Sequence, residues 1–289
     1  MPPLLLLIAV AAGGVTLASA TTLEACKPDG SSNACACTGV GGVVISVDCT
    51  NANLEEVPTG IPVTVTALNL AQNDLKHIRS QQFNNLPALE SLQLQGNQLH
   101  TVESGAFVGL PQLSVLRMHD NSLQSLPAGL FSPLPGLKTL NVGGNGLNVL
   151  SATIFAGLNQ LESLALNGNG LVIEDASAPT LFVDLVALTE LNLSDNRLTG
   201  LHAQLLVGLT ALRTLNLGRN LMVAVQPGAL VGIAAVQTLD LSFNLLRGGV
   251  GDSLQQAALR QVATLTLAYN RMTSLPVGTL DDMDALKTL

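Results

Sequence analysis

The sequence contains very few aromatic and charged residues. Trp is absent, Tyr occurs once, and aromatic residues make up 2% of the 289-residue chain. Charged residues account for only 11%, whereas hydrophobic residues account for 47%. A chain this apolar lies far from the composition of disordered proteins, so we expect a large folded core. Because ring side chains are scarce, that core must be built from aliphatic residues.

Basic residues are also scarce. The chain has 12 Lys and Arg against 20 Asp and Glu, which gives a formal net charge of -8. Nucleic-acid binding and polybasic membrane patches both require clustered Lys and Arg. We therefore expect no nucleic-acid partner, and membrane attachment only through an anchor beyond the end of this sequence.

The N-terminus predicts export. Residues 1–20 carry an uncharged apolar run, Leu4–Val10, and end in the small residues Ala18-Ser19-Ala20, which is typical of a cleaved signal peptide. The alternative is a transmembrane anchor, which needs about 20 apolar residues and which the Gly13-Gly14 pair disfavours. We therefore expect a secreted protein or one on the extracellular face of the plasma membrane.

The four cysteines all lie near the N-terminus, at Cys26, Cys35, Cys37 and Cys49. In an exported protein, four cysteines so close together indicate two disulfides within one small module. A zinc site is the alternative, but the paired Cys-x-x-Cys spacing typical of such sites is missing. We expect no metal and no cofactor. The spacing alone leaves the three disulfide connectivities open.

A repeat dominates the rest of the chain. The segment Leu89–Leu99 reads LxxLxLxxNxL, and we number its residues as positions one to eleven. Nine copies begin at Val65, Leu89, Leu113, Leu137, Leu161, Leu188, Leu212, Val236 and Val262. Most spacings are 24 residues, and a tenth copy begins with 286–289. Residues 65–285 are therefore interpreted as nine repeats of one structural unit.

Asn marks every repeat, and Phe marks the first five. Asn occupies position nine throughout, at Asn73, Asn97, Asn121, Asn145, Asn169, Asn196, Asn220, Asn244 and Asn270. Its amide is predicted to pair with backbone groups where the chain turns inward. Phe recurs in the second half of the repeat, at Phe83, Phe107, Phe131, Phe155 and Phe182. We interpret this row as a packed spine rather than as a ligand channel.

The pattern resembles the leucine-rich-repeat family, and its 24-residue period is similar to that of the extracellular animal type. The resemblance implies an α/β solenoid, a curved horseshoe with a parallel concave sheet and an irregular or short-helical convex side. Residues 21–64 resemble the cysteine-rich N-terminal cap of variable lymphocyte receptors and related receptor ectodomains. That resemblance implies the pairs Cys26–Cys37 and Cys35–Cys49. The family usually ends in a second cysteine-rich cap, so an uncovered C-terminal edge is expected to favour self-association.

Positions three, five, seven and eight are predicted to face the concave surface, about 40 Å long over nine strands. Two clusters on that surface stand out. The first is Arg219, Phe243 and Tyr269 at position eight, where an Arg beside two solvent-facing rings is typical of a binding hot spot. Ordinary scatter of exposed residues is the alternative.

The second cluster is Arg117, His119 and Asp120 in the third repeat. A His beside an Asp can serve acid–base chemistry, but no nucleophile accompanies it, so we interpret the cluster as a ligand-binding or solvated patch and predict no enzyme activity. The sequon Asn192-Leu193-Ser194 predicts glycosylation at Asn192, in the middle of the concave face.

These observations predict an extracellular recognition protein that binds a protein or glycan on its concave face. The resemblance implies an innate-immune or variable-lymphocyte-receptor-like role. A secreted matrix or adhesion protein, with broad and weak contacts, is the alternative, because fold alone does not determine function.

Overall fold

The computed structural model describes residues 35–40, 43–173, 181–247, 254, 259–275 and 277–289. The predicted signal peptide, residues 1–20, and Cys26 lie outside this part of the chain.

Within the described residues, eleven strands form one sheet. In spatial order they are β1 (Ala36–Val40), β2 (Val43–Asp48), β3 (Ala67–Asn69), β5 (Ser91–Gln93), β7 (Val115–Arg117), β8 (Thr139–Asn141), β9 (Ser163–Ala165), β10 (Glu190–Asn192), β12 (Thr214–Asn216), β14 (Thr238–Asp240) and β15 (Thr264–Thr266). Two short parallel pairs lie outside this sheet: β4 (His77–Ile78) with β6 (Thr101–Val102), and β11 (Gly200–Leu201) with β13 (Ala224–Val225).

The repeat register is preserved along the sheet. Strands β1 and β2 form an antiparallel hairpin, and every later pair in the sheet is parallel. The position-four leucines align from strand to strand, and Leu164 still pairs with Leu191 across the longest repeat. This arrangement confirms the predicted leucine-rich-repeat solenoid.

Alternation along each short strand creates the core. The central residue of a strand such as β5 is buried, and its two neighbours are half-buried on the other face. Leu89, Leu92 and Leu94 are fully buried, as are their counterparts in the other repeats except Leu267, which is 8% exposed. Burying a Leu side chain contributes roughly 1.5–3 kcal/mol, so the stacked leucines are the main source of stability.

The described return segments on the convex side are successions of turns, with helical geometry only at isolated residues. The buried Phe row packs behind these turns. Consecutive rings from Phe83 to Phe182 are stacked with centroids 6.0–6.5 Å apart. Each ring is at most 1% exposed. The row is a hydrophobic spine, and no ring face in it is open to a ligand.

The position-nine asparagines connect neighbouring repeats. In Asn97, Nδ2 donates to the carbonyls of Leu70 and Leu94 at 2.9 and 3.0 Å, and Oδ1 accepts from the Leu75 amide at 3.1 Å. The same bonds recur at the other eight ladder positions. Each Asn therefore satisfies buried backbone groups of two repeats at once.

The N-terminal end of the solenoid is covered by the β1–β2 hairpin, whose second strand pairs with β3. The disulfide Cys35–Cys49 ties the start of this hairpin to the chain that follows it. This is one of the two pairs implied by the family resemblance. Cys37 is also disulfide-bonded. At the other end, the tenth repeat contributes a parallel bridge between Thr264 and Thr288.

Candidate binding surface

The asparagines at position five of the concave face serve the scaffold. Their side-chain oxygens accept hydrogen bonds from the backbone N–H two residues later, at position seven. These bonds are formed by Asn69, Asn141, Asn192, Asn216 and Asp240, at 2.8–3.1 Å. The side chains thus form local turns of the kind that Asn and Asp favour. Sequence reasoning assigned position five to ligand contact and missed this role, although the recurring residue type is a signal for it.

Position eight has one backbone conformation in all nine repeats. The residues are Gln72, Gly96, Asp120, Gly144, Gly168, Asp195, Arg219, Phe243 and Tyr269, and their φ values lie between 51° and 68°. This left-handed region favours Gly and tolerates Asn and Asp. Three repeats follow that preference with Gly. The bulky residues in the last three repeats therefore occupy a conformation that disfavours them.

Gly144 shows that the side chain at position eight of one repeat reaches position eight of the next repeat. A Cβ at Gly144 would collide with the Asp120 carboxylate, the position-eight side chain of the preceding repeat. Position-eight side chains therefore lean along the solenoid towards the next repeat. The same geometry lets bulky side chains in consecutive repeats reach one another.

Arg219, Phe243 and Tyr269 form a continuous stack, which we call the position-eight column. The Arg219 guanidinium carbon lies 4.4 Å from the centroid of the Phe243 ring. The Tyr269 ring stacks on Phe243 with centroids 4.3 Å apart and an interplanar angle of 12°. The three residues that sequence analysis placed in one column are thus in direct contact, with cation–π and ring-stacking geometry.

The column is rigidified and yet open to solvent. Phe243 is 40% exposed and Tyr269 is 74% exposed. Asp195, at position eight of the preceding repeat, lies 4.0 Å from Arg219 Nε. Both members of this ion pair are more than half exposed, so it orients the guanidinium but contributes little to stability. Sequence reasoning did not include Asp195, although the shared repeat position identifies it.

The second predicted cluster is a partly buried polar patch. Nε2 of His119 lies 3.9 Å from an Asp120 carboxylate oxygen, which is beyond hydrogen-bond distance. Nδ1 of His119 and Oε1 of Gln95 are both buried without a hydrogen-bond partner. These residues occupy position seven of adjacent repeats. The patch is therefore poorly satisfied, and it lacks the aligned bond that an acid–base pair requires.

Burial lowers the pKa of His119. Desolvation of the imidazolium is the main cause, the neighbouring Arg117 adds to it, and the Asp120 carboxylate opposes it. His119 is consequently neutral at physiological pH, and Asp120 stays exposed beside it.

Other kinds of site are poorly supported in the described residues. A depression lined by Ala152, Phe155 and Asp184 has a volume of about 150 Å³, which is small for a ligand pocket. No group of three or more His, Cys, Asp and Glu residues in this part of the chain is arranged to hold a metal ion. The helical residues of the same part include no stretch with the length and apolarity needed to span a bilayer.

Solved structures include a similar solenoid. A chain of the TLR13–ssRNA13 crystal structure aligns with a TM-score of 0.71 and 27% identity. The alignment covers 78% of this chain and 32% of that chain. That structure is a complex with single-stranded RNA. Our expectation that this chain has no nucleic-acid partner is therefore not supported.

The relatives found by sequence align with a shorter part of this chain. Leucine-rich repeat-containing protein 4B of Mus musculus, Rattus norvegicus and Homo sapiens is 43% identical over 60 residues. The match covers 21% of this chain and 8% of each relative, so this chain spans only a small part of their length. The family model described as Leucine rich repeat matches residues 63–123, 112–171 and 180–246, which is more than half of the chain. The chain therefore belongs to the leucine-rich repeat family.

Proposed function

We propose that this protein is an extracellular recognition module that binds a macromolecular ligand through the position-eight column and the adjoining concave face. The observation that carries the proposal is the column itself. Phe243 and Tyr269 are large exposed rings held in a left-handed backbone conformation, where three sister repeats use Gly. Residues kept in an unfavourable conformation without a gain in burial are characteristic of binding sites.

The composition of the column supports binding to a protein. Tyr and Arg are enriched in hot spots, where rigid side chains lose little conformational entropy on association. Stacking and the Asp195 ion pair order the three side chains before a ligand arrives. Preordered side chains reduce the entropic cost of association, so few residues suffice for affinity.

The N-terminal hairpin supports an extracellular location. The Cys35–Cys49 disulfide is expected in an oxidising compartment and rare in the cytosol. A signal peptide at residues 1–20 is consistent with the same location. Asn192 lies on β10 near the middle of the sheet, and a glycan there would direct ligands to one end. The position-eight column lies at the C-terminal end of the described sheet.

The proposal is tested by screening the purified full chain, tetramerised for avidity, against an array of secreted and cell-surface ectodomains and single-stranded RNA. We expect one or more ectodomains to bind, and the triple variant Arg219→Ala, Phe243→Ala, Tyr269→Ala to lose that binding. The matched control is Gln72→Ala, at position eight of the first repeat and outside both predicted clusters.

Circular dichroism melts separate a binding defect from misfolding. Unchanged binding by the folded triple variant contradicts the proposal. Binding to RNA alone contradicts protein recognition.

A further inference from the structure

Along one lateral edge of the solenoid, the exposed side chains change from polar ones in the first repeats to aliphatic and basic ones in the last repeats. Positions ten and twelve follow the ladder Asn as the chain leaves the concave sheet. Backbone bonds join position ten of each repeat to position eleven of the preceding one: Leu221 N–H donates to Leu198 O, Leu245 N–H to Met222 O, and Arg271 N–H to Leu246 O, each at 2.9 Å. At position twelve, Val223 N–H donates to Thr199 O at 3.0 Å. Side chains at these positions therefore form a continuous strip.

The strip is polar at its N-terminal end and carries aliphatic side chains towards its C-terminal end, in the seventh and eighth repeats. The first four repeats place no aliphatic side chain at positions ten and twelve; they have Asp74, Lys76, Gln98, His100, Ser122, Gln124, Gly146 and Asn148. In the seventh repeat, Leu221 and Val223 are 46% and 51% exposed. Leu245 follows in the eighth repeat and is half-buried. Exposed aliphatic residues grouped in this way are typical of an interaction surface.

The same end of the strip is cationic. The chain has only 12 Lys and Arg residues. Three of them are exposed at positions ten or twelve of repeats six to nine: Arg197, Arg247 and Arg271. In a chain of net charge -8, this makes the edge a local basic region. Such a region steers acidic partners towards it.

We propose that this edge, formed by Leu221, Val223, Leu245, Arg247 and Arg271, binds a protein segment in which carboxylate side chains alternate with apolar ones. The aliphatic side chains bury the apolar residues of the segment, and the guanidinium groups pair with its carboxylates. Repeats seven to nine span roughly 10 Å, enough for about three extended residues of a crossing segment. The inference rests on the proposed function and names the chemistry of the partner.

The geometry favours such a segment over single-stranded nucleic acid. A base-stacking platform needs free ring faces. The Arg219 guanidinium at 4.4 Å and the Tyr269 ring at 4.3 Å cover the two faces of the Phe243 ring. The outer face of Tyr269, which is 74% exposed, is then the one face of the column left for a base, and one face does not make a stacking platform. Exposed Leu221 and Val223 have no role in contacting phosphates, whereas they complement apolar side chains.

The test uses a displayed library of random linear peptides, selected on the full chain. Enriched peptides are expected to combine Asp or Glu with Leu, Ile or Phe. Their affinity is then measured by interferometry for the charge variant Arg247→Glu, Arg271→Glu and the apolar variant Leu221→Ser, Leu245→Ser. The control variant Lys76→Glu, Lys138→Glu makes the same change in net charge elsewhere on the surface. Polyuridylate is the nucleic-acid probe.

We expect each edge variant to weaken peptide binding about tenfold or more, and the control variant to leave it within about twofold. Several outcomes overturn the inference: no enrichment of acidic–apolar peptides, equal losses in edge and control variants, or polyuridylate binding that the charge variant abolishes. Loss of ectodomain binding in the position-eight triple variant, with edge variants unaffected, contradicts this inference and leaves the proposed function standing.

Discussion

Tyr269 stacks on Phe243 with ring centroids 4.3 Å apart, although both residues adopt φ values above 50°. The left-handed conformation costs a non-glycine residue roughly 1–2 kcal/mol. Stacking of the two exposed rings contributes about 0.5–1.5 kcal/mol, which is less than the summed conformational cost of the two residues. Stability therefore does not explain the pair, whereas the ligand contact that we propose would explain it.

The first prediction concerns the Asn ladder. Asn97→Ala removes four hydrogen bonds and leaves the Leu75 amide and the Leu70, Leu94 and Gln95 carbonyls without their side-chain partner. Because these groups are buried, we expect a loss of more than about 2 kcal/mol of unfolding free energy, measured by urea denaturation. Asn148→Ala, at an exposed loop position, is the control and is expected to change stability little. Equal effects of the two substitutions contradict the structural role of the ladder.

The second prediction concerns the spine. Phe131 is fully buried and stacks on Phe107 and Phe155. Phe131→Ala leaves a cavity in the convex layer and is expected to cost about 3–5 kcal/mol by the same denaturation assay. Phe243→Ala, the same substitution at an exposed ring, is expected to cost far less. If the Phe row were a ligand channel, Phe131→Ala would lower the unfolding free energy only slightly and would alter ligand binding.

The third prediction is pH dependence at His119. Its pKa is lowered in the folded protein by burial, with Arg117 adding and Asp120 opposing. The unfolded chain therefore binds a proton at higher pH than the folded chain does, so stability falls as pH drops below about 6.5. We expect His119→Gln to lose less stability than the parent between about pH 7.5 and about pH 5.5, measured by urea denaturation. Identical pH profiles in the two proteins are inconsistent with a partly buried, neutral His119.

The fourth prediction is a glycan at Asn192. When the chain is secreted from a eukaryotic cell, an N-glycosidase is expected to increase its gel mobility, and Asn192→Gln is expected to abolish that shift. Asn216→Gln is the matched control. Asn216 occupies the same repeat position and makes the same turn hydrogen bond, but it is followed by Leu217-Gly218 and lacks a sequon. A shift that persists in Asn192→Gln refutes the assignment.

The fold was predictable because the same sequence pattern occurs in nine successive repeats, and each copy predicts the same local structure. The Leu spacing identifies strands and inward-facing positions, and recurrence of the same frame leaves one stacking solution. A single feature such as Asn97 proves little alone, but with equivalent residues in register it predicts a backbone-bonded ladder. The predicted spine from Phe83 to Phe182 follows from the same recurrence.

The site was predictable only in part. Shared repeat position placed Arg219, Phe243 and Tyr269 in one column, and the structure shows them in contact. Their backbone conformation was not evident, because φ depends on how the turn after the strand closes and side chains other than Gly give no sign of it. The turn bonds of position five, as in Asn192, were missed for a related reason: an exposed Asn has the same sequence pattern whether it faces a ligand or its own backbone.

The most direct test of the account compares stability and binding in the variant Phe243→Gly, Tyr269→Gly. Gly is the residue that sister repeats place at this left-handed position, as at Gly96 and Gly168. We expect the unfolding free energy to stay within about 1 kcal/mol of the parent value, because relief of the backbone cost offsets the lost stacking. We also expect binding to the ectodomain found by screening to fall below detection. A variant that loses several kcal/mol of stability, or one that keeps full affinity, contradicts the claim that these rings are maintained for recognition.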